Sequence, residues 1–325
     1  MATKSPTATR QRSIQKKRDD QDAKKGGPAK KPEKKPVQAG ARQHPVNPLP
    51  AQHQRKPGTE SKLKPRPQYQ APDYIGSQKL EDWVAIITGG DSGIGRAVAV
   101  LLAREGADVA IVYLGEHKDA KETARAVKHE GRRCLLISGD VSESEFCDEA
   151  VRKTVQEFGR LDVLVNNAAF QEHAESLTDI EDEQIEMTFR TNIFGYMHMA
   201  RAVLPHLKEG SCIINTGSET GLFGNGQLLD YSATKGAIHA FTKSLASNLV
   251  KQGIRVNAVA PGPVWTPLNP ADQSAKAVQK FGAKNPMGRP AQPEEIAPAY
   301  VFLAAPSCAS YITGAILPVI GGPTG

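Results

Sequence analysis

The sequence predicts an α/β fold: one doubly wound parallel sheet of about seven strands, with helices on both faces. Three observations predict it. From Trp83 onward, short apolar runs alternate with longer segments of helical periodicity. The short runs are apolar throughout, the pattern of strands covered on both faces, and not alternately apolar and polar. The first run also ends in a glycine-rich turn that leads directly into a helical segment.

Taken in order, "WVAIIT" is a strand and "IGRAVAVLLAREG" a helix ending at Gly106. "DVAIVY", "DAKETARAVKHEG" and "RCLLIS" repeat the alternation, followed by the helix "ESEFCDEAVRKTVQEFG" and the strand "DVLVNNA". A long helical region is expected from about Ile180 to Leu207. The strand "CIINT", a helix from Tyr231 to about Lys251 and the strand "RVNAVA" come next. "EEIAPAYVFLAA" reads as a helix despite Pro298, and "AILPV" as a last strand. Right-handed crossovers make this a Rossmann-type sheet. One such domain accounts for residues 80–325, with no internal repeat and no second domain.

The N-terminal part has a different composition. Residues 1–70 hold 18 Lys and Arg against 5 Asp and Glu, a net of +13, whereas 71–325 hold 23 against 30, a net of −7. The overall charge of +6 therefore belongs to the tail. The rest gives no charge-based reason to expect specific nucleic-acid binding. Residues 1–45, with "KKGGPAKKPEKKP", are expected to be a disordered basic tail. Residues 46–79 are expected to be a Pro-rich arm, partly ordered through Leu63, Tyr69 and Tyr74. No apolar stretch is long enough for a membrane span, and the N-terminus has no apolar core of a secretory signal. Cys134, Cys147, Cys212 and Cys308 form no C-x-x-C pair, and no metal site is expected. Lone thiols fit a reducing, cytoplasmic location.

The chemistry concentrates in a few motifs. "TGGDSGIG", Thr88 to Gly95, places glycines at 89, 93 and 95 between a strand and a helix. Gly89 would permit the tight turn, Gly93 a close approach of a pyrophosphate, and Gly95 close packing of the helix. Free N–H groups and the helix dipole would hold the anion. "YSATK" sets Tyr231 and Lys235 four apart, one above the other on a helix. Alone, that pair is unspecific.

In the order of its motifs the chain resembles the short-chain dehydrogenase/reductase family over roughly residues 80–325. "TGGDSGIG" resembles its cofactor loop, "GDV" its adenine contact, "NNAA" its N-N-A-G motif and "PGPVWT" its nicotinamide-side loop. Asn192 in "TNIFG", Ser218 in "INTGSETG", Tyr231 and Lys235 match the family's catalytic positions. The resemblance implies that Tyr231 exchanges a proton with the carbonyl oxygen, with Ser218 polarising that oxygen. Lys235 would favour the phenolate and bind the nicotinamide ribose, and Asn192 would hold a water that connects Lys235 to solvent. It implies a cofactor site of Gly89, Asp91, Ser92, Gly93, Ile94, Gly95, Tyr113, Leu114, Asp140, Val141, Asn167, Ala168, Tyr231, Lys235, Pro261, Gly262, Val264 and Thr266. Ala169 departs from the usual glycine, and Ile320 stands where an aspartate is common. Within the family the chain more closely resembles the bacterial aldehyde-reductase and glucose/ribitol-dehydrogenase-like subgroup, whose members carry "TGGDSGIGRA" after a Pro-rich extension.

Members selective for NAD place an Asp where this chain has Tyr113 and Leu114. No carboxylate stands there to repel a 2′-phosphate, so NADP(H) is favoured and NAD(H) remains possible. Lys118 is the cation expected to reach that group, opposed by Glu116. The substrate would be a small carbonyl compound or alcohol, in a pocket of Ser218, Glu219, Phe170, Gln171 and Phe223, under a mobile lid formed by 263–287. The alternatives are a 3-oxoacyl-carrier-type reductase, disfavoured by the acidic folded part, and a non-catalytic dinucleotide-binding protein. A homotetramer is expected, with Leu204, Ala240, Leu245 and Leu249 and the C-terminal segment at its interfaces.

Overall fold

Seven strands form one all-parallel sheet in the order β3-β2-β1-β4-β5-β6-β7. They are β1 (Val84–Thr88), β2 (Asp108–Tyr113), β3 (Cys134–Ser138), β4 (Val163–Asn166), β5 (Cys212–Thr216), β6 (Arg255–Pro261) and β7 (Ile316–Val319). The structure is a computed structural model that describes residues 35–323. The helices are α1 (Gly93–Arg104), α2 (His117–His129), α3 (Ser144–Phe158), α4 (Asp182–Phe189), α5 (Gly195–Val203), α6 (Thr220–Phe223), α7 (Leu229–Leu249), α8 (Ala275–Val278), α9 (Pro293–Ala304) and α10 (Pro306–Ala309).

Strand alternation builds two cores. Ala85 and Ile87 face a layer of α1, α2 and α9, while Val84 and Ile86 face α3, α5 and α7. Strand order reverses between β1 and β4, and the crevice at their C-terminal ends is where such sheets bind ligands. The region expected as one helix from Ile180 is interrupted. A π-helical turn, Arg190–Phe194, separates α4 from α5 and carries Asn192. Such a turn redirects side chains and often marks a functional site. Pro298 does sit inside α9.

The arm is more extensive than its sequence suggests. The tail was expected to run to residue 45, yet Val37 already donates its N–H to the carbonyl oxygen of Met287 (2.8 Å), and Arg42 pairs with Glu294 (2.9 Å). Leu49 bonds to the backbone of Gln279 (3.0 Å) and Gln54 to that of Pro270 (2.9 Å). The expected boundary therefore moves toward the N-terminus. Backbone hydrogen bonds, which hydropathy does not register, seat this stretch. Residues 1–34 of the expected tail lie outside the described residues.

Leu49 and Leu63 of the arm bury themselves with Trp265 and Val278, and Trp265 donates its indole N–H to the carbonyl oxygen of Pro65 (2.8 Å). The segment 263–287, expected as a mobile lid, is thus seated in part on the arm. The loop carries its own buried core, and the arm supplies half of it. Leu249 is likewise no interface residue: it is 1% exposed and packs against the sheet.

Candidate active site

A cavity of about 510 Å³ opens at the switch point. The glycine loop forms one end of it. Gly93 has φ +52°, and a Cβ there would come within 2.9 Å of the Thr266 methyl, so glycine suits the gap between this loop and the one that follows β6. Gly95 does not line the cavity. A Cβ on it would meet the carbonyl oxygen of Gly89 at 2.1 Å, so its part is close packing of α1. All the other expected cofactor residues line the cavity: Gly89, Asp91, Ser92, Ile94, Tyr113, Leu114, Asp140, Val141, Asn167, Ala168, Pro261, Gly262, Val264 and Thr266 join Gly93, Tyr231 and Lys235.

At the other end, α7 presents Tyr231 and Lys235. Asp230 in the first turn of α7 suits the helix dipole and accepts a hydrogen bond from Thr188 (2.6 Å). Lys235 is 1% exposed. Its ammonium donates to the carbonyl oxygen of Thr216 (2.8 Å) and lies 5.4 Å from the centre of the Tyr231 ring. Burial pushes Lys235 down to about 7 and raises Tyr231 above the ordinary phenol range, with the Ser218 hydroxyl pulling Tyr231 the other way. Protein burial alone thus opposes phenolate formation. Activation of Tyr231 requires the charges of a bound ligand or a protonated Lys235. Ser218 accepts bonds from the N–H and hydroxyl of Thr220 (3.1 Å each), which leaves its own proton free to donate.

Two expected site residues lie elsewhere. Asn192 is buried outside the cavity lining: its amide brackets the backbone of Phe170 (2.8 and 2.9 Å) and reaches Thr234 (3.1 Å). Its side-chain amide is therefore engaged by protein groups. Phe223, expected in the substrate pocket, is 59% exposed at the end of the short α6 and does not reach the cavity. Phe170, Gln171 and Glu219 do line it, although the Gln171 amide is turned to Asp272 (2.7 Å). Glu172, His173 and Asp272 have metal-like spacing at the rim. Asp272 already accepts from Gln171 and His173, and Glu172 pairs with Lys56. No metal is assigned there.

Met187, Asn225, Leu228 and Phe281 also line it, and so do Pro57 and Gly58 of the arm. The arm's contribution was missed. Its signal is Glu60, the lone acid between residues 34 and 72 of a basic segment. Glu60 is fully buried, accepts the N–H of Gly93 at the start of α1, and pairs with Arg96 (2.6 Å). Burial raises its carboxyl to about 7, against the pull of Arg96 and the Gly93 N–H.

A family model described as enoyl-(acyl carrier protein) reductase matches residues 89–324. General stress protein 39 of Bacillus subtilis is 56% identical over 84% of this chain and 96% of its own. The NADPH-dependent aldehyde reductase 1, chloroplastic, of Arabidopsis thaliana is 49% identical over 82% and 95%. The chain belongs to the short-chain dehydrogenase/reductase family. It is an NAD(P)-dependent oxidoreductase, as the residues of its cavity imply. A short-chain dehydrogenase of Burkholderia cenocepacia, solved in complex with NADP, superposes with a TM-score of 0.70 at 33% identity, over 75% of this chain and 98% of that one. The cavity fits such a dinucleotide. Its glycine loop excludes side chains, and Lys235 keeps two donors beyond its bond to Thr216. Among the described residues, no helix is long and apolar enough to cross a membrane.

Proposed function

We propose that this oxidoreductase uses NADP(H) by preference to interconvert a small aldehyde or ketone and its alcohol, with Tyr231 as general acid and base. The observation that carries the reading is the convergence of Ser218, Tyr231 and Lys235 on a cavity whose far end is the glycine loop. The nicotinamide, when bound, supplies or accepts the hydride. Gly89, Ser92 to Ile94, Asp140, Val141, Asn167 and Ala168 hold the dinucleotide, together with Pro261 to Thr266. Lys235 offers its free donors to the ribose. The Ser218 proton fixes the carbonyl oxygen, and Tyr231 delivers a proton to that oxygen in reduction and takes it back in oxidation. Asn192 positions the Phe170 wall beside them.

Phe170, Glu219, Met187 and Leu228 form a mixed apolar and polar substrate end, suited to a small molecule. The aldehyde-reductase relative supports both the carbonyl class and the NADPH preference. Four free cysteines accord with a cytoplasmic setting. Exposed Phe194 (47%) and Met197 (44%), with Ala240 also exposed on α7, favour a homotetramer. Turnover of NADPH against a panel of small aldehydes and ketones tests the function. Tyr231→Phe is expected to lower kcat at least about hundredfold while NADPH binding stays intact. Near-wild-type turnover in that variant would remove Tyr231 from the mechanism.

A further inference from the structure

The arm crosses the mouth of the cavity and is tied down on both sides. On one side Glu60 enters the start of α1. On the other, Lys56 donates to the carbonyl oxygen of Gln171, pairs with Glu172 (3.1 Å) and lies 5.1 Å from the centre of the Phe170 ring. Between them Gly58 (φ +94°) passes so close to Pro267 that a Cβ would meet its carbonyl oxygen at 2.8 Å. A second cavity of about 380 Å³ adjoins this crossing and shares Pro57, Gly58 and Glu116 with the first. Through Glu116 it borders the end of the main cavity that Tyr113 and Leu114 line, just beyond β2.

The charges of the second cavity come almost entirely from the arm: His53, Arg55, Lys56 and Lys62, against Glu116 alone. Lys56 is engaged as described. Arg55 and Lys62 are exposed and form no ion pair among the described residues. The Gln54 amide nitrogen beside them is buried without a hydrogen-bond partner. Glu116 turns to the N–H of Gly115 (3.1 Å). Lys118, the cation that the sequence puts forward for this end, lines neither cavity. Free cations in a cavity that shares residues with the sheet end of the main one make a receptor for an anion carried by whatever lies along the main cavity.

We infer that the arm reads the adenosine 2′-phosphate of NADP(H), with Arg55 and Lys62 as its specificity-determining cations. The inference rests on the cofactor reading above and deepens it. In this chain cofactor choice is made by a segment outside the Rossmann sheet. Asp91, at the lip of the main cavity, bears on the same end with the opposite sign.

The test is equilibrium binding to the full chain, read by calorimetry with adenosine 2′,5′-bisphosphate and 5′-AMP and by nucleotide fluorescence with NADPH and NADH. In the Arg55→Gln/Lys62→Gln variant, NADPH and the bisphosphate are expected to bind at least about tenfold more weakly, the loss of charge-assisted bonds. NADH and 5′-AMP should stay within twofold of wild type. Both residues are exposed, so an unchanged melting temperature verifies folding. Equal losses for both nucleotides overturn the inference, as does no loss, or a selective loss that appears in Lys118→Gln instead. In all three cases the cofactor reading survives, provided that wild type binds a nicotinamide nucleotide. Wild type that binds neither nucleotide overturns that reading and the inference together.

Discussion

The cavity has two walls of different origin. One is built by strand ends of the sheet: the glycine loop, the Ser218 turn and the start of α7. The other is a chain segment with almost no regular structure, a single 3₁₀ turn at Glu60–Lys62, laid across the mouth. Each wall buries an ionisable side chain, but differently. Lys235 has one direct hydrogen-bond partner, the carbonyl oxygen of Thr216, together with two aromatic faces. Such a cation is held ready for an incoming group. Glu60 is satisfied by Arg96 and the Gly93 N–H, and Arg96 is in turn bonded to the carbonyl oxygens of Asp91 and Asp119 and to Thr123. That is the arrangement of a fastening. The difference separates a site made to react from a site made to hold.

Breaking the fastening is expected to have the largest effect on stability. Glu60→Ala leaves Arg96 with Glu122 (3.3 Å) and carbonyl oxygens but removes its closest carboxylate. Loss of a buried partner costs up to about 3–5 kcal/mol, and the remaining contacts place the expected cost near about 3 kcal/mol in urea unfolding. If the variant unfolds like wild type, the arm is not fastened there. Glu60→Ala should also free the arm for trypsin at Arg55 and Lys62, while Tyr231→Phe should leave both cleavages unchanged.

A smaller effect is expected from pH. Between the ordinary carboxylate value near 4.5 and about 7, the folded protein keeps a proton on Glu60 that the unfolded chain releases. Stability should therefore fall as pH rises through that window. Asp91, which burial raises to about 6, acts in the same direction. Arg96, Asp119, Glu122 and Tyr69 share this pocket. Urea unfolding at pH 5.5 and 7.5 measures the slope, and Glu60→Gln should flatten it. A slope that is unchanged in Glu60→Gln assigns the titration to another group.

The smallest effect is expected at Phe223. Its ring is outside the cavity, so Phe223→Ala should leave kcat/KM for the best aldehyde within about twofold, within the range of a surface substitution. A loss of tenfold or more would show that α6 folds inward when substrate binds.

The sequence by itself determined the sheet wall. Short, β-branched apolar runs bounded by turns, such as "VAIIT" and "DVAIVY", read as strands covered on both sides, and a glycine loop between strand and helix announces its geometry locally. Tyr231 and Lys235 share a helix face because four residues make about one turn. These are short-range facts, readable from neighbours in the chain. The tertiary structure alone decided the rest. Glu60 finds Arg96 across 36 residues and Trp265 finds Pro65 across 200, through hydrogen bonds and buried contacts that no periodicity encodes. The same holds for Asn192, whose interrupted helix turns its amide onto Phe170, and for Phe223, which a short helix leaves at the surface. An arm without regular structure takes its conformation from the surface that receives it. Its place over the cavity became visible only once the sheet had brought α1, β6 and the Phe170 wall together.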